Sequence, residues 1–118
     1  MANPVVHFEI GGKNAKALHT FYGQLFGWQI NANNPMNYGM VDTGGKGING
    51  GIAPTRENQP PFVTVYVDVP DLAEYLKKAE TLGGKTIMPP MPIPGGPTIA
   101  MMSDPEGNVV GLVKSGTM

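Results

Sequence analysis

Pro4-Val5-Val6-His7-Phe8-Glu9-Ile10, closed by Gly11-Gly12 and followed by the run Ala15–Phe26, decides the fold. Val6, Phe8 and Ile10 alternate with His7 and Glu9, the period-two pattern of a half-buried strand. Asn14 is placed to cap a helix. Within the run, Ala17, Leu18, Phe21, Tyr22, Leu25 and Phe26 recur at the spacing of an amphipathic helix. Gly27 stands where a helix-ending glycine belongs. Three short strands are predicted next, over 28–31, 38–42 and 48–53. Asn33-Asn34-Pro35 and Gly44-Gly45-Lys46-Gly47 punctuate them.

Working outward, 55–61 is polar and proline-bearing and reads as a linker. The plan then repeats. Phe62–Val69 is rich in β-branched residues, with Val63, Val65, Val67 and Val69 on one face and Phe62, Thr64, Tyr66 and Asp68 on the other. Asp71 caps a helix to residue 82, whose predicted buried stripe is Leu72, Ala73, Leu76, Ala79 and Leu82. Gly83-Gly84 ends it. A strand over 85–88, a stiff proline-rich loop over 89–97, and a strand over 98–103 follow. The loop is expected to roof the cleft or meet a second subunit. Asp104-Pro105-Glu106-Gly107-Asn108 is turn chemistry rather than a carboxylate pair. The last strand is 109–114.

Both halves thus read strand, helix, three strands. The expected architecture is α+β: two tandem βαβββ units, about 4–54 and 62–115, forming curled mixed sheets around a cleft, helices on the outer face. Setting Val6, Phe8 and Ile10 on Pro61, Val63 and Val65 pairs His7 with Phe62 and Glu9 with Thr64. The helix ends then require one residue inserted in the strand–helix turn.

Composition narrows the function. A chain of 118 residues is expected to be a single domain. With 41% hydrophobic and 14% charged residues it is too apolar for disorder. Glycine (17) and proline (12) demand many tight turns. The net charge is −1 and the basic residues are scattered, Lys77-Lys78 apart, so no nucleic-acid surface is expected. The absence of cysteine rules out disulfides and thiolate chemistry, and no apolar run approaches a membrane span. A cytoplasmic protein is expected.

The phrases His7-Phe8-Glu9-Ile10, Phe21-Tyr22-Gly23-Gln24-Leu25-Phe26-Gly27-Trp28, Val65-Tyr66-Val67-Asp68-Val69-Pro70-Asp71, Leu82-Gly83-Gly84-Lys85 and Asp104-Pro105-Glu106-Gly107-Asn108 together resemble the vicinal-oxygen-chelate proteins, the glyoxalase/bleomycin-resistance/dioxygenase group. The resemblance runs from His7 to Lys114. It implies a fold that hosts glyoxalases, ring-cleaving dioxygenases, epimerases, transferases and drug-sequestering proteins, so fold alone does not choose among them. It also implies a divalent metal held by a His or Gln on the first strand of each unit and a carboxylate on the last. His7 matches the first position. Phe62, by the pairing above, stands at its counterpart. Gly111 replaces the carboxylate in Asn108-Val109-Val110-Gly111-Leu112, and Ile48-Asn49-Gly50-Gly51-Ile52 offers none. Three of four ligands are absent, so neither metal nor cofactor is expected.

The candidate site follows from the strand faces. His7, Glu9 and Tyr66 are the candidates for acid–base chemistry. His7, Glu9, Thr64, Tyr66 and Gly111, with Trp28, Met40, Phe62 and Met101 as apolar lining, are the expected ligand contacts. His19 is expected to be exposed and inert. The favoured function is a metal-free small-molecule binding protein, expected as a homodimer. The alternatives are a lyase, isomerase or dioxygenase with an atypical site, and a scaffold for a protein partner.

Overall fold

A computed structural model describes residues 2–118. Its elements are β1 (Val5–Gly12), α1 (Ala15–Phe26), β2 (Gln29–Asn31), β3 (Gly39–Asp42), β4 (Gly50–Pro54), β5 (Phe62–Val69), α2 (Leu72–Thr81), β6 (Lys85–Pro92), β7 (Thr98–Ser103) and β8 (Val109–Lys114). The chain is α+β, and the βαβββ plan is present twice. Its two compact units are His7–Thr64, and Val65–Met118 with the residues up to Val6. The division therefore cuts inside β1 and β5 rather than at the proline-bearing segment. Pro4 belongs with the second unit because its carbonyl accepts from the Asp68 N–H.

In the first half the strand order is β2-β3-β4-β1, in the second β6-β7-β8-β5. The strands of each half are mixed in direction. β1 runs parallel to β4 and β5 parallel to β8, while the remaining neighbours are antiparallel. The parallel pair is the consequence of a helical crossover between strands.

Each helix covers one face of the strands of its own half. Ala15, Val41 and Ile52 form the first core, with Phe8, Ile10, Leu18, Tyr22, Trp28 and Ile30 packed around them. Val69, Leu72, Leu76, Ala100 and Leu112 form the second, flanked by Val67, Tyr75 and Met102. The helix caps are those the sequence predicts. Asn14 accepts from the Ala17 N–H and Asp71 from the Glu74 N–H. Gly27 (φ 72°) and Gly83 (φ 99°) turn left-handed after the helices. The Asp104 turn is also as predicted. Its carboxylate accepts from the Asn108 side chain and from the Asn108 and Glu106 N–H groups, which hold it below the usual carboxylate range.

Four expectations need correction. First, the halves align at an offset of 57 residues (His7 to Thr64), not 55. Glu9 pairs with Gly51 where Tyr66 pairs with Gly111, and the N-caps Asn14 and Asp71 keep the same offset. The counterpart of His7 is therefore Thr64, not Phe62, and the strand–helix turns have equal length. Second, His19 is half-buried, with its Nε2 enclosed and, among the described residues, without a hydrogen-bond partner. It occupies the helix position of Leu76, which is core. Third, Phe21, Leu25 and Phe26 are exposed on α1, as are Ala73 on α2 and Leu82 just after it, because each helix turns only a narrow face to the strands. Fourth, the proline-rich segment is not all loop. β6 continues to Pro92 across two register shifts, at the end of the strand order, where an edge tolerates missing N–H groups. The turn that follows closes through Ile93 N–H to Pro97 O.

Candidate functional site

On β1 the helix-side residues are Phe8 and Ile10, so period two sends His7 and Glu9 to the face that α1 leaves uncovered. Tyr38, immediately before β3, joins them. Its hydroxyl lies 2.8 Å from His7 Nε2 and donates to Glu9 Oε2 at 3.0 Å. Since the single phenolic proton goes to the carboxylate, His7 Nε2–H is the donor to Tyr38 Oη. The chain of donors runs His7, Tyr38, Glu9. The two rings lie nearly parallel, 6.5 Å apart. Burial pushes the His7 pKa below its ordinary value of 6.5, because the imidazolium loses hydration there.

Tyr38 is held by a short built loop. Asn34 clasps it at both backbone groups: Asn34 Nδ2 donates to Tyr38 O at 2.7 Å, and Tyr38 N–H donates to Asn34 Oδ1 at 3.0 Å. Asn37 adopts φ 53° to turn the chain between them, a conformation asparagine accepts more readily than most residues. Sequence reading overlooked Tyr38. Its signal was present, since period two from Met40 places Tyr38 on the face of Glu9.

The register adds a second feature. Glu9 pairs with Gly51, Gly51 with Met40, and Met40 with Asn31. In the second half Tyr66 pairs with Gly111, Gly111 with Met101, and Met101 with Met88. The same row therefore recurs, with glycine on the last strand and methionine beside it. In both rows an aromatic ring occupies the space above the glycine. A Cβ built on Gly51 would lie 1.7 Å from Tyr38 Oη, and one on Gly111 would lie 2.4 Å from Tyr66 Cδ2. A glycine inside a strand commonly marks such a close approach.

The expected ligand contacts divide accordingly. His7, Glu9 and Met40 share the uncovered face of the first half, Met40 being 55% exposed. Tyr66, Gly111 and Met101 share the corresponding face of the second, and Thr64 is buried. Phe62 lies over Gly11, whose Cβ would stand 2.0 Å from the ring. It lines an open groove of about 330 Å³ with Ile10, Leu18, Tyr22, Pro61 and Val63. Trp28 departs from expectation. It stacks on Tyr22 at 5.6 Å and tilts against Phe8 and Phe26, in the aromatic packing on the helix side.

The residues do not fit the metal centre that the resemblance implies. Metal sites need converging N, O or S donors. The two carboxylate positions are glycines covered by tyrosine rings, and Thr64 holds the position of the second histidine. His7 Nε2 is engaged by Tyr38. Among the described residues, no three His, Cys, Asp or Glu come together. Nor is any helix among them long and apolar enough to cross a membrane.

Comparison with known proteins places this geometry in context. Residues 5–112 match the profile of the Glyoxalase/Bleomycin resistance protein/Dioxygenase superfamily. The anthracycline biosynthesis protein DnrV of Streptomyces peucetius is 27% identical over 94% of this chain and 46% of its own length. The chain thus spans about half of that relative. Methylmalonyl-CoA epimerase from Mycobacterium tuberculosis superposes with a TM-score of 0.69 at 15% identity, covering 93% of this chain and 86% of that one. A glyoxalase/bleomycin resistance protein/dioxygenase superfamily member from Vibrio splendidus 12B01 gives 0.67 at 12% identity, covering 97% and 100%. At these identities the structural likeness shows the fold alone.

Proposed function

The chain belongs to the glyoxalase/bleomycin resistance protein/dioxygenase superfamily, and we propose that it binds a small organic molecule without a metal, through the uncovered face of its first half. The reading rests on one observation: the Tyr38 hydroxyl bridges His7 and Glu9 where the family geometry would place metal donors. Such a cluster supplies fixed hydrogen-bonding groups, and exposed Met40 beside it offers a polarizable, adaptable apolar contact. The ligand expected there pairs one polar group with an apolar body. The test is a thermal-shift screen of small molecules on wild-type protein and on Tyr38→Phe. Compounds that stabilise the wild type should lose their effect on the variant. Equal shifts in both proteins would place the ligand elsewhere.

A second reading, acid–base catalysis at the same cluster, is favoured by the His7 environment. Burial keeps the imidazole neutral near neutral pH, the state a general base requires. A lyase or isomerase reaction on a bound carbon acid fits that chemistry. His7→Ala would then abolish turnover of a ligand found in the screen while the protein stays folded. Normal turnover in that variant would remove His7 from catalysis and leave binding as the function.

A further inference from the structure

We infer that Tyr38 decides the chemistry of the first half, by filling the volume above Gly51 that a carboxylate ligand would need and by holding the donors His7 and Glu9 to itself. This rests on the metal-free reading above and goes further, since it names the residue that excludes the ion. Three observations carry it. The register sets Gly51 directly beside Glu9, with His7 two residues earlier on the same strand face. A side chain at position 51 would start 1.7 Å from Tyr38 Oη and 1.9 Å from its Cζ, so ring and carboxylate cannot coexist there without displacement. Asn34 fixes the Tyr38 backbone at both its N–H and its carbonyl, so displacement works against a built loop. With the ring removed and a carboxylate restored, His7, Glu9 and position 51 present three donors on one face, a set suited to zinc.

The second half repeats the exclusion by a different route. Tyr66 stands on β5 at the Glu9 position, paired across to Gly111, and its own ring fills the gap. The tyrosine there replaces a donor as well as covering the glycine. Removing Tyr66 therefore restores no ligand, whereas removing Tyr38 leaves two.

The experiment compares wild type, Gly51→Glu, Tyr38→Ala and Tyr38→Ala/Gly51→Glu. Each is incubated with Zn²⁺, desalted and assayed by elemental mass spectrometry, with circular dichroism to establish folding. The folded double variant should retain about one ion per chain, as a three-donor site with an open position does. The others should retain none. Stoichiometric zinc in Gly51→Glu alone, or none in a folded double variant, would overturn the inference. Stoichiometric zinc in the wild type would instead overturn the metal-free reading.

Should the double variant not fold, a stability cycle with alanine at position 51 decides the matter. The penalty of Gly51→Ala should vanish in a Tyr38→Ala background. Additive penalties would show that the ring does not hold that space.

Discussion

The two halves differ most where their registers agree. Position for position, the first half presents His7 and Glu9 where the second presents Thr64 and Tyr66, on strands that in both halves have a glycine as neighbour and a methionine beyond it. In the first half the ring above the glycine comes from a loop and brings its hydroxyl end, Oη with Cζ and Cε2. In the second it comes from the strand itself and brings the root of the ring. One arrangement leaves polar atoms in a chain of hydrogen bonds. The other makes a well-packed wall. The scaffold tolerates both because the helix-side cores carry the fold, which leaves the opposite face to diverge.

Tyr66→Ala sharpens the contrast most. Tyr66 is buried against Gly111, so its loss should cost about 4 kcal/mol, as for other large aromatic truncations. Tyr38→Ala should cost less than half of that in the same urea melts, because Tyr38 is only half-buried. Equal losses would break the distinction between wall and site.

Overpacking gives the next effect. Gly111→Ala meets the near end of a strand-borne ring and should cost about 3 kcal/mol. Gly51→Ala meets the far, hydroxyl-bearing end of a loop-borne ring and should cost about 1 kcal/mol. The order of the two melting temperatures is the check.

His19 provides a smaller effect of opposite sign. It sits where the second half has the core residue Leu76, with Nε2 enclosed and, among the described residues, unpaired. His19→Leu should stabilise the protein by about 1 kcal/mol, since an unsatisfied buried group is removed. Destabilisation would mean that the imidazole has a partner in solution.

The pH response should be modest and should belong to the first half. His7 has a folded pKa below 6.5, so the unfolded chain takes up its proton first as pH falls. Stability from this source is complete above pH 6.5 and declines below it. His7→Gln should flatten that part of the pH–stability curve, and an unchanged slope would contradict the assignment.

The sequence patterns carried the fold well because they express burial directly. Both caps, the helix-ending glycines, the Asp104 turn and the face of His7 and Glu9 follow from local chemistry and period two. What stayed hidden depends on pairing between distant strands. The 57-residue offset (Glu9 to Tyr66) needs the partners Gly51 and Gly111 to fix it. The alternating valines of β5 suit several registers, and a shift of two preserves every face. Tyr38 was missed because a residue next to a turn shows no partner in the sequence. The covering of Gly51 by its hydroxyl is a tertiary fact. Trp28 was misplaced because aromatics suit a core and a lining equally.

The most direct test of the account is the tautomer of His7, read from imidazole ¹⁵N chemical shifts in labelled protein near neutral pH, with Tyr38→Phe as the control. A neutral ring protonated at Nε2 in the wild type, with that resonance perturbed in the variant, is the predicted result. A ring protonated at Nδ1, or one unaffected by loss of the Tyr38 hydroxyl, would contradict the chain from His7 through Tyr38 to Glu9.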